Sequence, residues 1–312
     1  MQFDKNRGCV HSPPWFASKN KHIIDEQYDF DYSLAVGTEE QRVHDIIALF
    51  VLDWVHRFYT YTNIQVLQDE RVMFRFKRHT NQTTLSKSLV ETNFKSNKEV
   101  IHILVYSFMY LCETLEIMAV NKLVHGHLNL SENIVTCSIH TNTCPQIADI
   151  SLTFDDIIAK PYDPTNMYIP LECHILQYIT RHRLQSISEQ NVEDVVYDVY
   201  TNHPLLDSDL AERYAVKALS YLYPLINCSK EQLIKHAKQT YNKWDQFALC
   251  ANYMNEFHKL TMNSNFNCVY KKQRQMCIQL FIEEMHPIPG YRSRTALDLK
   301  IMMNKIFCCK RV

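Results

Sequence analysis

Apolar residues recur at steps of three and four between residues 43 and 54. Val43, Ile46, Ile47, Phe50, Val51 and Trp54 predict a helix over 39–57, with Thr38 as its cap and Glu39 and Glu40 in its first turn. The period changes to two at Arg71–Lys77, where Val72, Phe74 and Phe76 alternate with Met73 and Arg75, as in a strand; 63–67 is a second strand and 34–36 a short third. Residues 1–32, with Pro13-Pro14 and scattered charge, read as irregular, and 79–84 as a polar connection. From there the helical period dominates. Ile101, Leu104, Val105, Phe108, Met109, Cys112, Leu115 and Met118 form one stripe over 98–120. Two short strands, 133–137 and 146–149, flank Thr141-Asn142-Thr143. Further helices are expected near 174–182, 208–222, 230–240, 243–258, 273–285 and 295–307. A small strand-rich part precedes a large helical one. The expected class is α+β in two lobes, divided at residues 1–78 and 79–312.

Composition narrows the function. With 312 residues, 46% apolar and 21% charged, the chain is long enough and apolar enough to fold around a sizeable core. Thirty-three basic residues against 34 acidic ones give no surplus for nucleic acid. The chain has four glycines, Gly8, Gly37, Gly126 and Gly290, too dispersed for a phosphate-cradling loop or a dinucleotide fingerprint. Eleven cysteines, an odd number in a long chain that opens on polar residues, point to reduced thiols and an intracellular protein, cytoplasmic or nuclear. The apolar run from Ile46 to Val55 is broken by Asp53 and too short to span a bilayer, so no membrane span is expected. Cys137, His140 and Cys144 lie close together but match no standard zinc spacing.

Candidate chemistry lies after the long apolar helix. Leu123-Val-His-Gly-His-Leu-Asn-Leu-Ser-Glu-Asn133 is followed by Ile147-Ala-Asp149-Ile-Ser. The first segment resembles the catalytic loop of the protein kinase superfamily (H-R-D-L-x-x-x-N), and the second its D-F-G strand. Tyr168-Ile-Pro-Leu-Glu172 resembles the A-P-E motif. Asp245-Gln-Phe-Ala-Leu-Cys250 resembles the start of the family's central buried helix, and the stretch around Arg292 its closing signature. Leu34-Ala-Val-Gly37 is similar to the V-A-I-K strand, and Gly8-Cys-Val10 to the end of the glycine loop. The divergent kinases of large DNA viruses are the nearest in flavour. The resemblance implies a bilobal kinase-like fold, with a small β-rich N-lobe and a mostly helical C-lobe. It assigns Asn133 and Asp149 to magnesium and nucleotide, Asp245 to tethering the loop backbone, and Glu172 to pairing with Arg292, or alternatively with Arg294.

Several parts of that machinery are missing. The lysine position is Gly37, which carries no charge. The catalytic aspartate position is His127 if the loop is anchored on His125, or Leu128 if anchored on Asn133. The expectation is therefore a pseudokinase, a scaffold, decoy or regulator that contacts other proteins, such as a kinase or its regulators, in an infected host cell if the viral flavour holds. It needs no cofactor and binds Mg-ATP weakly at most. The alternative is an active, divergent Ser/Thr kinase using His127 as base, with a lysine such as Lys19, Lys21 or Lys77. Glu172 and Asp245 are farther apart than the family needs, so 173–243 is expected to be a mostly helical insertion.

Overall fold

The computed structural model describes residues 27–33, 61–66, 71–77, 83–91, 97–136, 145–148, 154–201, 203–262 and 270–308, the first three stretches as backbone. The chain divides into two compact units. One is drawn from 1–117 and 129–152, the other from 118–128 and 153–312.

The first unit holds two small antiparallel sheets. Strands β1 (Gln27–Ser33), β2 (Tyr61–Val66) and β3 (Arg71–Lys77) pair in the order β1-β3-β2, with Gln27 opposite Lys77 and Ser33 opposite Arg71. The β2–β3 register shifts between Tyr61 and Asn63. Strand β1 corrects the reading of 1–32 as irregular. Tyr28, Phe30 and Tyr32 do alternate with Asp29 and Asp31, but aspartate is depleted in strands and masks the period. The expected strand at 34–36 and helix at 39–57 lie outside the described residues, as do 137–144 with Cys137, His140 and Cys144.

The second sheet orders β4 (Thr83–Thr84), β5 (Ile134–Thr136) and β6 (Gln146–Ile147) consecutively. Thr84 then caps the short helix α1 (Leu85–Glu91), its Oγ1 accepting the Lys87 N–H at 3.2 Å. Helix α2 (Asn97–Val120) buries Ile101, Leu104, Phe108, Leu111, Cys112 and Leu115 along one stripe. By length and mean hydropathy (1.6) it is also the one helix among the described residues able to cross a membrane, a property the sequence reading placed nowhere in the chain. Its buried stripe and exposed Lys98, His102 and Tyr106 are those of a core helix with one wet face.

The second unit is helical: α3 (Phe154–Ala159), α4 (Leu171–His182), α5 (Glu189–Tyr200), α6 (Ser208–Leu222), α7 (Lys230–Lys238), α8 (Trp244–Met262), α9 (Lys271–Glu284) and α10 (Ala296–Cys308). Helix α8 is its axis. Trp244, Leu249, Cys250, Ala251, Tyr253 and Phe257 are all at most 1% exposed, and Phe257 meets Phe281 of α9 at 5.9 Å between ring centroids. The stretch between Glu172 and Asp245 is built from α4 to α7. Ser188 and Ser229 start α5 and α7 with reciprocal capping boxes, and Asp207 caps α6. Helix α5 was not expected, although its buried Val192, Val195, Val196 and Val199 follow the helical step; valine's low helix propensity hid it.

Candidate functional site

The loop after α2 is held from one side by α8. Asp245, in the first turn of α8, accepts the His125 N–H on Oδ2 at 2.7 Å and the Gly126 N–H on Oδ1 at 2.6 Å, across 120 positions of sequence in the first case. About two helical turns along the same helix, Asn252 Nδ2 donates to Leu128 O at 3.0 Å and to Ala248 O at 2.8 Å. One helix face thus satisfies two loop donors and one loop acceptor that would otherwise be buried without partners. Asp245 is 5% exposed. Burial pushes its carboxyl up to about 6, against the opposing pull of the two N–H donors.

Gly126 adopts φ +71°, the left-handed region. A Cβ there would collide with Ile157 Cδ1 and crowd the Tyr241 ring, so this turn requires glycine. Tyr241 belongs to an aromatic cluster with Phe154 and Trp244, in which Phe154 and Tyr241 meet edge-on at 5.0 Å. Next along the loop, the His127 N–H donates to His125 Nδ1 at 3.3 Å, which puts the ring proton of a neutral His125 on Nε2. His125 is buried, His127 half-buried, and Leu128 1% exposed.

Within the first unit, residues 129–133 close a turn on themselves. Asn133 Oδ1 accepts the Asn129 N–H at 2.8 Å, and Asn129 O accepts the N–H groups of Glu132, Asn133 and Ile134. Asn129 Oδ1 takes the Ser131 N–H and hydroxyl, at 2.9 and 2.7 Å. The Asn133 carbonyl receives the Ala148 N–H at 2.8 Å, linking the turn to the end of β6. Asn133 is 2% exposed. Its carboxamide oxygen, the atom that would ligate a magnesium ion, accepts one hydrogen bond within the turn. Among the described residues, no group of three His, Cys, Asp or Glu side chains is placed to hold a metal.

A second long-range tether closes the helical unit. Arg292 and Glu172 form a two-pronged ion pair, Nη1 to Oε1 at 3.1 Å and Nη2 to Oε2 at 3.0 Å, with side chains only 1% and 3% exposed. Arg292 Nε donates to His286 O at 2.7 Å and Nη2 to Pro287 O at 3.3 Å, and its guanidinium lies 5.0 Å from the centre of the Phe247 ring. Glu172 Oε1 also accepts the Thr240 hydroxyl at 3.2 Å. Arg294, the alternative partner, is spent elsewhere, on Glu283 and Glu284 at 2.6 and 2.8 Å.

The structure therefore brings together Asp245 with the His125–Gly126 backbone, and Glu172 with Arg292. Gly37 and Asp149 lie outside the described residues. Sequence reasoning missed Asn252, Thr240 and the Tyr168–Asn255 bond (Nδ2 to Oη, 2.8 Å). Asn252 had a signal, being a buried polar residue on the Asp245 face of an apolar helix; the other two had none.

No family model matches the chain, and no curated protein matches it in sequence. Among solved structures it is similar to the kinase domain of Mycobacterium tuberculosis PknI, with a TM-score of 0.43 and 9% identity over 90% of this chain and 85% of that one. A double mutant of the same domain gives a TM-score of 0.40, with the same identity and coverage. Similarity at that level assigns no function.

Proposed function

We propose that this chain is a protein kinase-like module that does not transfer phosphate and acts through contacts with other proteins. The observation that carries the reading is that the 125–128 backbone is tethered while neither His127 nor Leu128 is a carboxylate. Asp245 and Asn252 grip the loop where the kinase resemblance implies a grip, and Glu172 pairs with Arg292 as it implies. The positions that would do chemistry offer a half-buried imidazole at His127, a buried alkyl group at Leu128 and, at Asn133, a carboxamide that accepts the Asn129 N–H. Phosphoryl transfer depends on positioned charge and metal, and neither candidate for the base position carries a carboxylate. No cofactor is required, and Mg-ATP binding is weak or nil.

The deciding experiment incubates the purified chain with γ-labelled ATP, magnesium and a generic basic protein substrate. No incorporation above background is expected. Incorporation that disappears in Asp149→Ala would overturn the proposal and favour an active enzyme using His127.

A further inference from the structure

We infer that a small cavity inside the helical unit binds one water molecule, shared between the imidazoles of His174 and His203. The cavity measures about 10 Å³, room for a single water. It lies where the start of α4, the end of α5 and the 203–206 connection meet α8. Ile169, Leu171, Val199, Phe247 and Met285 give it apolar walls, and His174 of α4 and His203 line it as well.

The backbone fixes the state of each ring. His174 is 1% exposed, and its Nδ1 is a buried nitrogen with no hydrogen-bond partner in the protein. The Asn166 carbonyl acts on the same ring as an acceptor, which assigns the proton of neutral His174 to Nε2 and leaves Nδ1 with a bare lone pair. At His203 the Leu205 N–H donates to Nδ1 at 3.3 Å, so that ring carries its proton on Nε2, as a donor. An unmet acceptor and a donor therefore line one cavity. A water between them donates to His174 Nδ1 and accepts from His203 Nε2–H, which supplies the two polar partners a buried water needs. It also satisfies a buried polar atom of a kind that folded proteins rarely leave unpaired.

The surroundings favour a neutral occupant. Burial, and after it the neighbouring His203, lowers His174 to about 3, against the pull of the Asn166 carbonyl and of Asp163. Asp163 is exposed and spends Oδ1 on the Thr165 N–H and hydroxyl. Tyr162 meets the His174 ring edge-on at 6.1 Å and gives its hydroxyl proton to Asp198, while Tyr200 stacks on His203 at 6.1 Å. A metal ion fits less well, because the Nδ1 lone pair of His203 is already taken and His174 Nδ1 is then the one free imidazole nitrogen among the lining residues. The inference goes beyond the kinase-like reading and does not rest on it, since it draws only on the helical unit.

The test is NMR near neutral pH on the full chain, labelled with nitrogen-15 at histidine alone. Long-range proton–nitrogen correlations should show both rings neutral and protonated on Nε2. A water-selected NOE should reach the ring protons of His174, which bulk solvent does not touch. His203→Phe removes the donor and should abolish that contact, whereas His203→Gln keeps an amide donor and should retain it. Far-UV circular dichroism checks folding. Should His203→Phe misfold, the tautomers and the NOE of the wild-type chain decide. No water contact at His174 in the wild type, or a His174 proton on Nδ1, would overturn the site. A contact that survives His203→Phe would overturn the shared bond. One equivalent of silver(I) or zinc(II) should leave the His174 signals unmoved, and a shift of those signals with either ion would overturn water as the occupant. Phosphate transfer is assayed separately, so failure here leaves the kinase-like reading standing, and the reverse also holds.

Discussion

Breaking the Glu172–Arg292 pair one partner at a time should cost far more than replacing both. Arg292→Met leaves the Glu172 carboxylate buried, with the Thr240 hydroxyl at 3.2 Å as its remaining partner. A buried charge stripped of its counter-charge costs about 3–5 kcal/mol, and so poorly compensated a carboxylate belongs at the upper end. Glu172→Leu leaves a guanidinium that still has the His286 and Pro287 carbonyls and the Phe247 ring, so about 3 kcal/mol is expected. The double variant buries two apolar side chains and no charge. It still orphans those two carbonyls, and should fall about 1–2 kcal/mol below wild type. The singles are then non-additive by several kcal/mol, the signature of direct coupling. The assay is urea unfolding followed by tryptophan fluorescence. With Trp15→Phe and Trp54→Phe as background, the signal comes from Trp244 alone, whose ring lies 5.0 Å from Tyr241 within the helical unit. An unchanged m-value would confirm that the same cooperative unit is being measured. Additive single effects, or single costs below about 1 kcal/mol, would refute a buried, mutually dependent pair.

Three further outcomes follow from the loop and its surroundings. Asp245→Ala orphans two buried N–H donors while removing a buried charge; a net loss of about 2 kcal/mol is expected, with faster hydrogen exchange at the His125 and Gly126 amides, and unchanged protection there would contradict the tether. Gly126→Ala must pay for φ +71° and displace Ile157 Cδ1, for about 2–3 kcal/mol by thermal or urea unfolding, and Ile157→Ala should recover part of it. The third outcome concerns acid. Asp245, raised to about 6, binds its proton more tightly in the folded state, so its contribution makes the fold gain stability as pH falls from 6 towards 4, by about 3 kcal/mol. His174 is buried and His203 half-buried; desolvation lowers them to about 3 and 4, and the stability their neutral forms supply above 6.5 is lost as pH falls through that same window. Asp245→Asn should therefore steepen the loss of stability on acidification, whereas His174→Phe should flatten it. Parallel profiles of unfolding free energy against pH would contradict both assignments.

Much of the architecture is legible in the sequence where one physical signal acts alone. The apolar stripe of α2, the alternation in β3 and the span of α6 follow from periodicity. The signal fails where two effects compete. Aspartates interrupt the alternation of β1, valines hide the helical step of α5, and α1 and α3 are too short for a period to register. Pairings across 120 positions lie beyond any local pattern, and a family resemblance was what linked Glu172 to Arg292 and Asp245 to the loop. The orientation of Asn133 was illegible for a different reason. The same asparagine can ligate a cation, brace a turn or do both, and no local pattern shows that its oxygen accepts the Asn129 N–H.

A functional loss would be expected to fall first on residues that folding does not need. Asp245, Glu172 and Arg292 are each buried and hydrogen-bonded at several points, so replacing any of them exposes the fold to a penalty of a few kcal/mol, comparable with a large part of a domain's whole stability. Side chains at the position between His125 and Asn133 that would carry a catalytic carboxylate bear no such load: the loop is held by backbone groups of His125, Gly126 and Leu128. A carboxylate there can be exchanged for an imidazole or an alkyl group without releasing any of these tethers. On the proposed kinase-like reading, that difference in load would let a catalytic charge be lost while the structural charges stay.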